Sequence, residues 1–310
     1  MDRMKRIFVL VATIWLHVAI QAQLPAVSSG QLIRIDNFSS DFVAPRNVDI
    51  WLPPGYNEGR RYPVLYMHDG QMLFDSTVTW NKQEWGLDEV MANLLQQNQI
   101  EPCIVVGISN LPDKRRLEYA PQKAVQYLSE ADWDILREEP LVGKTLAADS
   151  LQADNYLRFI VEELKPAIDK KYATNPNREH TMIAGSSFGG LISMYAICEY
   201  PEVFGSAACL SIHWTGLFRI ENNPLPAAFL QYFSEHIPDP NTHRLYFDHG
   251  TSTLDSMYTT FQQEADAIIR HAGYTRQNWM TLVVQGAPHT EWAWHERLHI
   301  PLVFLLAKEK

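Results

Sequence analysis

The stretch Thr181-Met182-Ile183-Ala184-Gly185-Ser186-Ser187-Phe188-Gly189-Gly190-Leu191 decides how this chain reads. A short strand-like run enters a Gly-x-Ser-x-Gly turn, and a helical pattern from Leu191 to Tyr200 leaves it. A strand turned so abruptly into a helix brings the positions two before and two after the central residue against each other. Only glycine, which lacks a Cβ, fits both. Ser187 has Gly185 and Gly189 in those places, whereas Ser186 has Ala184 and Phe188. Ser187 is therefore expected on a strained backbone with its hydroxyl raised above a sheet, as a nucleophile. A plain glycine-rich connector is the alternative, and the flanking strand and helix patterns argue against it.

Outward from this turn, strand-like runs recur at Leu32–Ile35, Asn47–Leu52, Val64–His68, Ile104–Ile108, Ala207–Ile212, Arg244–Phe247 and Met280–Val284. The later ones are almost continuously apolar, as in parallel strands covered on both faces. Helical patterns separate them at Trp85–Gln96, Asn155–Tyr172, Asp255–Ala272 and Glu291–Leu306. Within Asn155–Tyr172, Leu157, Ile160, Val161, Leu164 and Ile168 share one face, and Pro166 is expected to kink it. The alternation predicts an α/β fold: a mainly parallel sheet of about eight strands with helices on both faces. Residues 23–310 suit one catalytic domain. Residues 110–152, weakly periodic and carrying Pro112, Pro121 and Pro140, read as a cap or lid insertion.

Residues 1–22 pair Lys5 and Arg6 with an apolar run from Ile7 to Ile20 and a small residue, Ala22. That is the pattern of a secretory signal peptide, so a secreted or periplasmic location is expected. A retained anchor is the alternative, but the run is short and contains His17. The net charge of −10 and the lack of a basic, aromatic-rich cluster disfavour nucleic acid and anionic membranes as partners. Cys103, Cys198 and Cys209 read as buried free thiols, with a Cys198–Cys209 bridge left open.

A serine hydroxyl needs a base, and the base needs an orienting acid. Behind a serine at such a turn, acid and then histidine follow along the chain. His271 falls in the helix before the last strand. His289, in Gly286-Ala287-Pro288-His289, follows the last strand directly and is the expected base. The acid should follow the strand Arg244–Phe247. Asp248 stands at its end, and Asp255 stands after the Gly250 turn, where an N-cap role is the competing explanation. Asp255 is favoured and Asp248 stays open. An oxyanion needs two preorganised N–H donors. The backbone of Phe188 is one, and Gln71, in the loop His68-Asp69-Gly70-Gln71, is the expected second.

His295-Glu296-Arg297-Leu298-His299 matches H-E-x-x-H, a zinc-peptidase pattern. A third ligand is wanting, with only Glu309 downstream, and Pro301 disturbs the helix. An amphipathic terminal helix is the better reading. Trp80, Trp85, His213, Trp214, Trp292 and Trp294 fall in or beside the loops near Ser187, and their flat faces suit a sugar or an aromatic acyl group.

Three segments together resemble a known family: Leu65-Tyr66-Met67-His68-Asp69-Gly70-Gln71-Met72-Leu73-Phe74-Asp75, the Gly185–Gly190 turn and the Gly286–Glu291 loop. They resemble the Putative esterase family, the esterase-D-like branch of the α/β-hydrolases. It includes enterochelin-type siderophore esterases, feruloyl and acetyl-xylan esterases, and mycolyltransferases. The resemblance implies the α/β-hydrolase fold, Ser187 as nucleophile, His289 as base, and no metal or organic cofactor. It also implies an acid soon after the glycine, yet Thr253 occupies the short Gly-x-x-Asp position here. The activity implied is serine carboxylic-ester hydrolysis through an acyl-enzyme, on a small-molecule or polysaccharide ester. Acyl esters of carbohydrates are preferred. A siderophore esterase, an acyltransferase, and a non-catalytic carbohydrate- or siderophore-binding relative are the alternatives.

Overall fold

The computed structural model describes residues 23–137 and 151–308. The expected signal segment 1–22, residues 138–150 of the expected insertion and Glu309 lie outside the described residues.

Eight strands form one sheet: β1 (Gln31–Phe38), β2 (Arg46–Leu52), β3 (Val64–His68), β4 (Ile104–Ile108), β5 (Thr181–Ser186), β6 (Ser206–Leu210), β7 (Arg244–Gly250) and β8 (Trp279–Val284). Their order is β1-β2-β4-β3-β5-β6-β7-β8. β1 pairs with β2, and β2 with β4, in antiparallel register; every later pairing is parallel.

The apolar runs split their side chains between two cores. In β3, Val64 and Tyr66 enter one core while Leu65 and Met67 enter the other, and Ile104, Val106 and Val105 of β4 divide likewise. A strand buried on both faces has no polar side to show, which is why these strands lack alternation. Helices Phe188–Glu199, Leu225–His236 and Thr259–His271 cover one face. Leu87–Gln96 and His299–Leu306 cover the other. The three cysteines are free and buried, so the Cys198–Cys209 bridge does not form. Burial pushes all three thiols up, which keeps them protonated.

Two of the elements that differ from the expectation have a local cause. The helix around Pro166 is not simply kinked: α-helix Ala153–Arg158 passes through a π-helical turn, Phe159–Leu164, into α-helix Lys165–Lys171. The wider turn lies just before the proline, whose ring excludes the ordinary hydrogen bond. The helix Leu225–His236 was not expected from the sequence. Pro226 stands in its first turn, where the missing N–H costs nothing.

The sheet positions the site. The parallel strands end on one side, and the segments bearing Gln71, Asn110, Ser187, Ser211, Asp255 and His289 all leave from those carboxyl ends. In open parallel sheets this is where ligands bind.

Candidate active site

Ser187 lies between β5 and its helix with φ 59° and ψ −123°, a left-handed conformation that strains a residue with a Cβ. Its backbone is held from both sides. The Ser187 N–H donates to Leu210 O at 2.9 Å, and Ser187 O accepts from Leu191 N at 3.1 Å and His213 N at 3.2 Å. A Cβ on Gly185 would stand 2.7 Å from the carbonyl carbon of Gly189, so the turn admits no side chain there. Phe188 is the first residue of the helix, and its N–H has no acceptor within that helix.

The loop after β3 turns through Asp69, itself left-handed at φ 58°. Arg115 holds the Asp69 carboxylate through two bonds, Nε to Oδ1 at 2.8 Å and Nη2 to Oδ2 at 2.7 Å, and Asn110 Nδ2 adds a third at 2.6 Å. Burial raises the Asp69 pKa, but Arg115 and Asn110 outweigh it and the net shift is downward. This clamp fixes Gln71, whose Oε1 accepts from Asn110 N at 3.1 Å. Beneath it, His68 is fully buried with Nδ1 2.9 Å from Tyr156 OH, and burial drives its pKa down to about 3.

At the far end of the sheet, His289 Nδ1 is 2.5 Å from Asp255 Oδ1. The other Asp255 oxygen accepts from Ser211 Oγ and Gly250 N, both at 2.6 Å. Burial raises the Asp255 pKa, and His289, Ser211 and Gly250 together bring it below the ordinary value. Thr253 occupies the family's short-form acid position, and its Oγ1 accepts from His289 N at 2.8 Å. The Trp294 ring meets the imidazole edge-on at 5.0 Å. Ser211 Oγ in turn accepts from Trp294 Nε1 at 3.0 Å and Arg297 Nη2 at 2.9 Å.

Ser187, His289, Gln71 and Asp69 line one cavity of about 1020 Å³, together with Trp80, Trp85, Arg115, Arg116 and Trp294. Among the described residues no hydrogen bond joins Ser187 Oγ to His289. Catalytic contacts of this kind often tighten only when substrate binds.

The structure brings Asp255 to His289 and turns Asp248 elsewhere: Asp248 pairs with Arg297 at 3.0 Å and accepts from Tyr246 OH at 2.9 Å. Trp80, at 83% exposed, stands on the cavity rim, and Trp85 lies buried in the wall. Trp292, 62% exposed, lies beside the cavity next to Glu291 in sequence. Two expected substrate residues face inward instead. Trp214 is wholly buried and donates from Nε1 to Gln262 Oε1 at 3.0 Å. His213 is buried against Phe188, with Nδ1 2.5 Å from Tyr258 OH. The segment after β6 packs inward against Ser187, whose O accepts from His213 N.

Sequence reasoning missed Ser211, Arg115 and Arg297. Arg297 sits inside the H-E-x-x-H match, whose histidines fall on two separate helices, Glu291–Arg297 and His299–Leu306. His295 Nδ1 is 2.8 Å from Trp85 O, and His299 is exposed. Among the described residues no group of three His, Cys, Asp or Glu side chains could hold a metal ion.

A sheet of this order, with a serine at the tight turn after its fifth strand, is the α/β-hydrolase fold. The chain belongs to the family described as "Putative esterase", whose model matches residues 39–300. It is similar to the uncharacterized protein YbbA of Bacillus subtilis (strain 168), 24% identical over 79% of this chain and 86% of that protein. It also resembles an endo-1,4-beta-xylanase/feruloyl esterase of Xylanibacter ruminicola, 25% identical over 60% of this chain and 22% of that enzyme. The ferri-bacillibactin esterase BesA of Bacillus subtilis is 27% identical over 52% of this chain and 51% of BesA. The chain thus spans about half or less of the two relatives with assigned activities. Among solved structures, the ferulic acid esterase of Anaeromyces mucronatus superimposes with TM-score 0.62 at 19% identity, over 91% of this chain and 92% of that one. The enterobactin esterase FES of Shigella flexneri gives 0.61 at 17%, over 91% and 60%.

Proposed function

We propose that this chain is an exported serine carboxylic-ester hydrolase in which Ser187, His289 and Asp255 form a catalytic triad. The observation that carries the reading is the Asp255–His289 contact of 2.5 Å on a base that shares its cavity with Ser187. Asp255 fixes Nδ1 as the protonated nitrogen and leaves Nε2 free to accept. On substrate binding, His289 Nε2 takes the Ser187 proton while Oγ attacks the ester carbonyl carbon. The N–H groups of Phe188 and Gln71 hold the oxyanion. The intermediate collapses, the alkoxide leaves with the proton from His289, and water then cleaves the acyl-enzyme by the same steps reversed.

Residues 110–137 act as a cap over this site, since Asn110, Pro112, Arg115 and Arg116 supply its wall. Residues 23–310 form one catalytic domain, and residues 1–22 direct export. The substrate class we favour is an acyl ester of a carbohydrate. Trp80 offers an exposed flat face at the cavity rim, suited to a sugar ring, and Trp292 offers another close by. A siderophore ester is the second reading, favoured by the similarity to BesA.

Fluorophosphonate labelling tests the nucleophile: one adduct on Ser187, lost in Ser187→Ala, is expected. Hydrolysis of acetylated xylan, feruloylated arabinose and a catecholate trilactone, compared side by side, separates the two substrate readings. Labelling with no turnover on any ester would point to a non-catalytic binding relative.

A further inference from the structure

Four charged side chains other than His289 line the cavity: Asp69, Arg115, Arg116 and Glu291. Arg115 is taken by Asp69 through two bonds. Glu291 accepts from Asn81 Nδ2 at 2.9 Å. Arg116 is left over. Among the described residues it makes no hydrogen bond or ion pair. Its contacts are aromatic: the guanidinium carbon stands 5.9 Å from the Phe188 ring centre and 5.1 Å from that of Phe218.

We infer that Arg116 is a specificity-determining residue, which selects esters carrying a carboxylate close to the scissile bond. The inference rests on the proposed esterase chemistry for where that bond lies. Phe188 follows the nucleophile in sequence and packs on His213, and Phe218 packs on the same histidine at 5.6 Å. The two rings flank the guanidinium, and Arg116 lines the same cavity as Ser187. A half-buried cation with no counter-ion is held at a cost, and a ligand anion removes that cost. The planar fork of arginine fits a carboxylate through two parallel bonds, a geometry that also fixes the ester's orientation. The surrounding protein is strongly acidic, at net −10, so an anion is held only where such a cation stands unshared. Burial and the neighbouring Arg115 both lower the Arg116 pKa, which agrees with a cation lacking a partner. The class of substrate is thus an acyl group or an alcohol bearing a carboxylate, such as a hemi-ester of a dicarboxylic acid or an acylated uronate.

Two matched ester pairs test this. p-Nitrophenyl propanoate against p-nitrophenyl hydrogen succinate places the charge on the acyl side; phenyl acetate against 4-acetoxybenzoate places it on the alcohol side. The wild type should favour the charged member of one pair in kcat/KM. Arg116→Ala should reduce that preference roughly 10- to 100-fold, mainly through KM, and Arg116→Lys should keep part of it. An equal charged-to-neutral ratio in wild type and Arg116→Ala, in both pairs, overturns the inference. Calorimetric titration of Ser187→Ala protein with succinate and benzoate needs no turnover. Binding of one of them, lost on adding Arg116→Ala, supports the site even if the esterase reading fails, and absence of binding by both counts against it.

Discussion

Asp248 Oδ1 lies 3.0 Å from Arg297 Nη2, and that pairing takes it out of reach of the catalytic role its position in the chain suggests. Seven residues later, Asp255 meets His289 instead. The two carboxylates are linked through Ser211, which donates to Asp255 while accepting from the arginine that neutralises Asp248. In the proposed triad Asp255 orients the base, and Asp248 anchors the arginine that braces Asp255 through Ser211.

Removing the charge from each acid separates these roles. Asp255→Asn should lower kcat on p-nitrophenyl acetate by about 10⁴-fold, because the amide presents the wrong group to Nδ1. Asp248→Asn should lower it far less and should mainly reduce stability. Equal losses in steady-state assays of the two variants would refute the assignment.

Arg297→Met should be costly to the fold. It leaves Asp248 buried without its counter-charge, at about 3–5 kcal/mol. Urea unfolding should show this loss, and the double variant with Asp248→Asn should recover much of it. The single variant should also lower kcat through the slackened Ser211, with little change in KM.

Gly250→Ala tests how closely the acid and base loops must approach. An added Cβ would stand 2.0 Å from Ala287 O, so the two loops must part. A displacement of about 1 Å at the triad should cost about 10²-fold in kcat. The circular dichroism spectrum should stay close to that of the wild type.

Acid should weaken the fold well before the carboxylates titrate. Burial keeps folded His68 neutral down to about 3, whereas a solvated histidine takes its proton near 6.5. Between those values the unfolded chain binds the extra proton, so stability falls as pH falls, by up to about 1.4 kcal/mol per pH unit. Urea midpoints should fall from pH 7 to pH 4, and His68→Gln should remove its share of the slope while His213 and His249, which burial also shifts downward, keep the rest.

The inner strands were legible because strands covered on both faces read as unbroken apolar runs, whereas β1 and β8, at the sheet edges, are only partly covered. The turn that carries Ser187 and the loop that carries His289 were legible for a different reason. A tight turn dictates its glycines, and the base must hang from the last strand. The acid stays open in the sequence, because Asp248 stands near the end of β7 and Asp255 just beyond it. What separates them is Arg297, brought in from a helix near the chain end by a contact that no local pattern encodes. Trp214 and His213 were misplaced for a related reason. Their segment is polar and aromatic enough to line a pocket, yet it packs inward, bonded through its backbone to Ser187. The Asp69–Arg115 clamp spans 46 residues, and charge alone does not announce such a pairing.

Trp294 and Arg297 reach Ser211, and through it Asp255, from the one helix Glu291–Arg297 that directly follows the His289 loop. The proposed base and the side chains that steady its proposed acid therefore travel on a single short segment, so any shift of that segment moves both together.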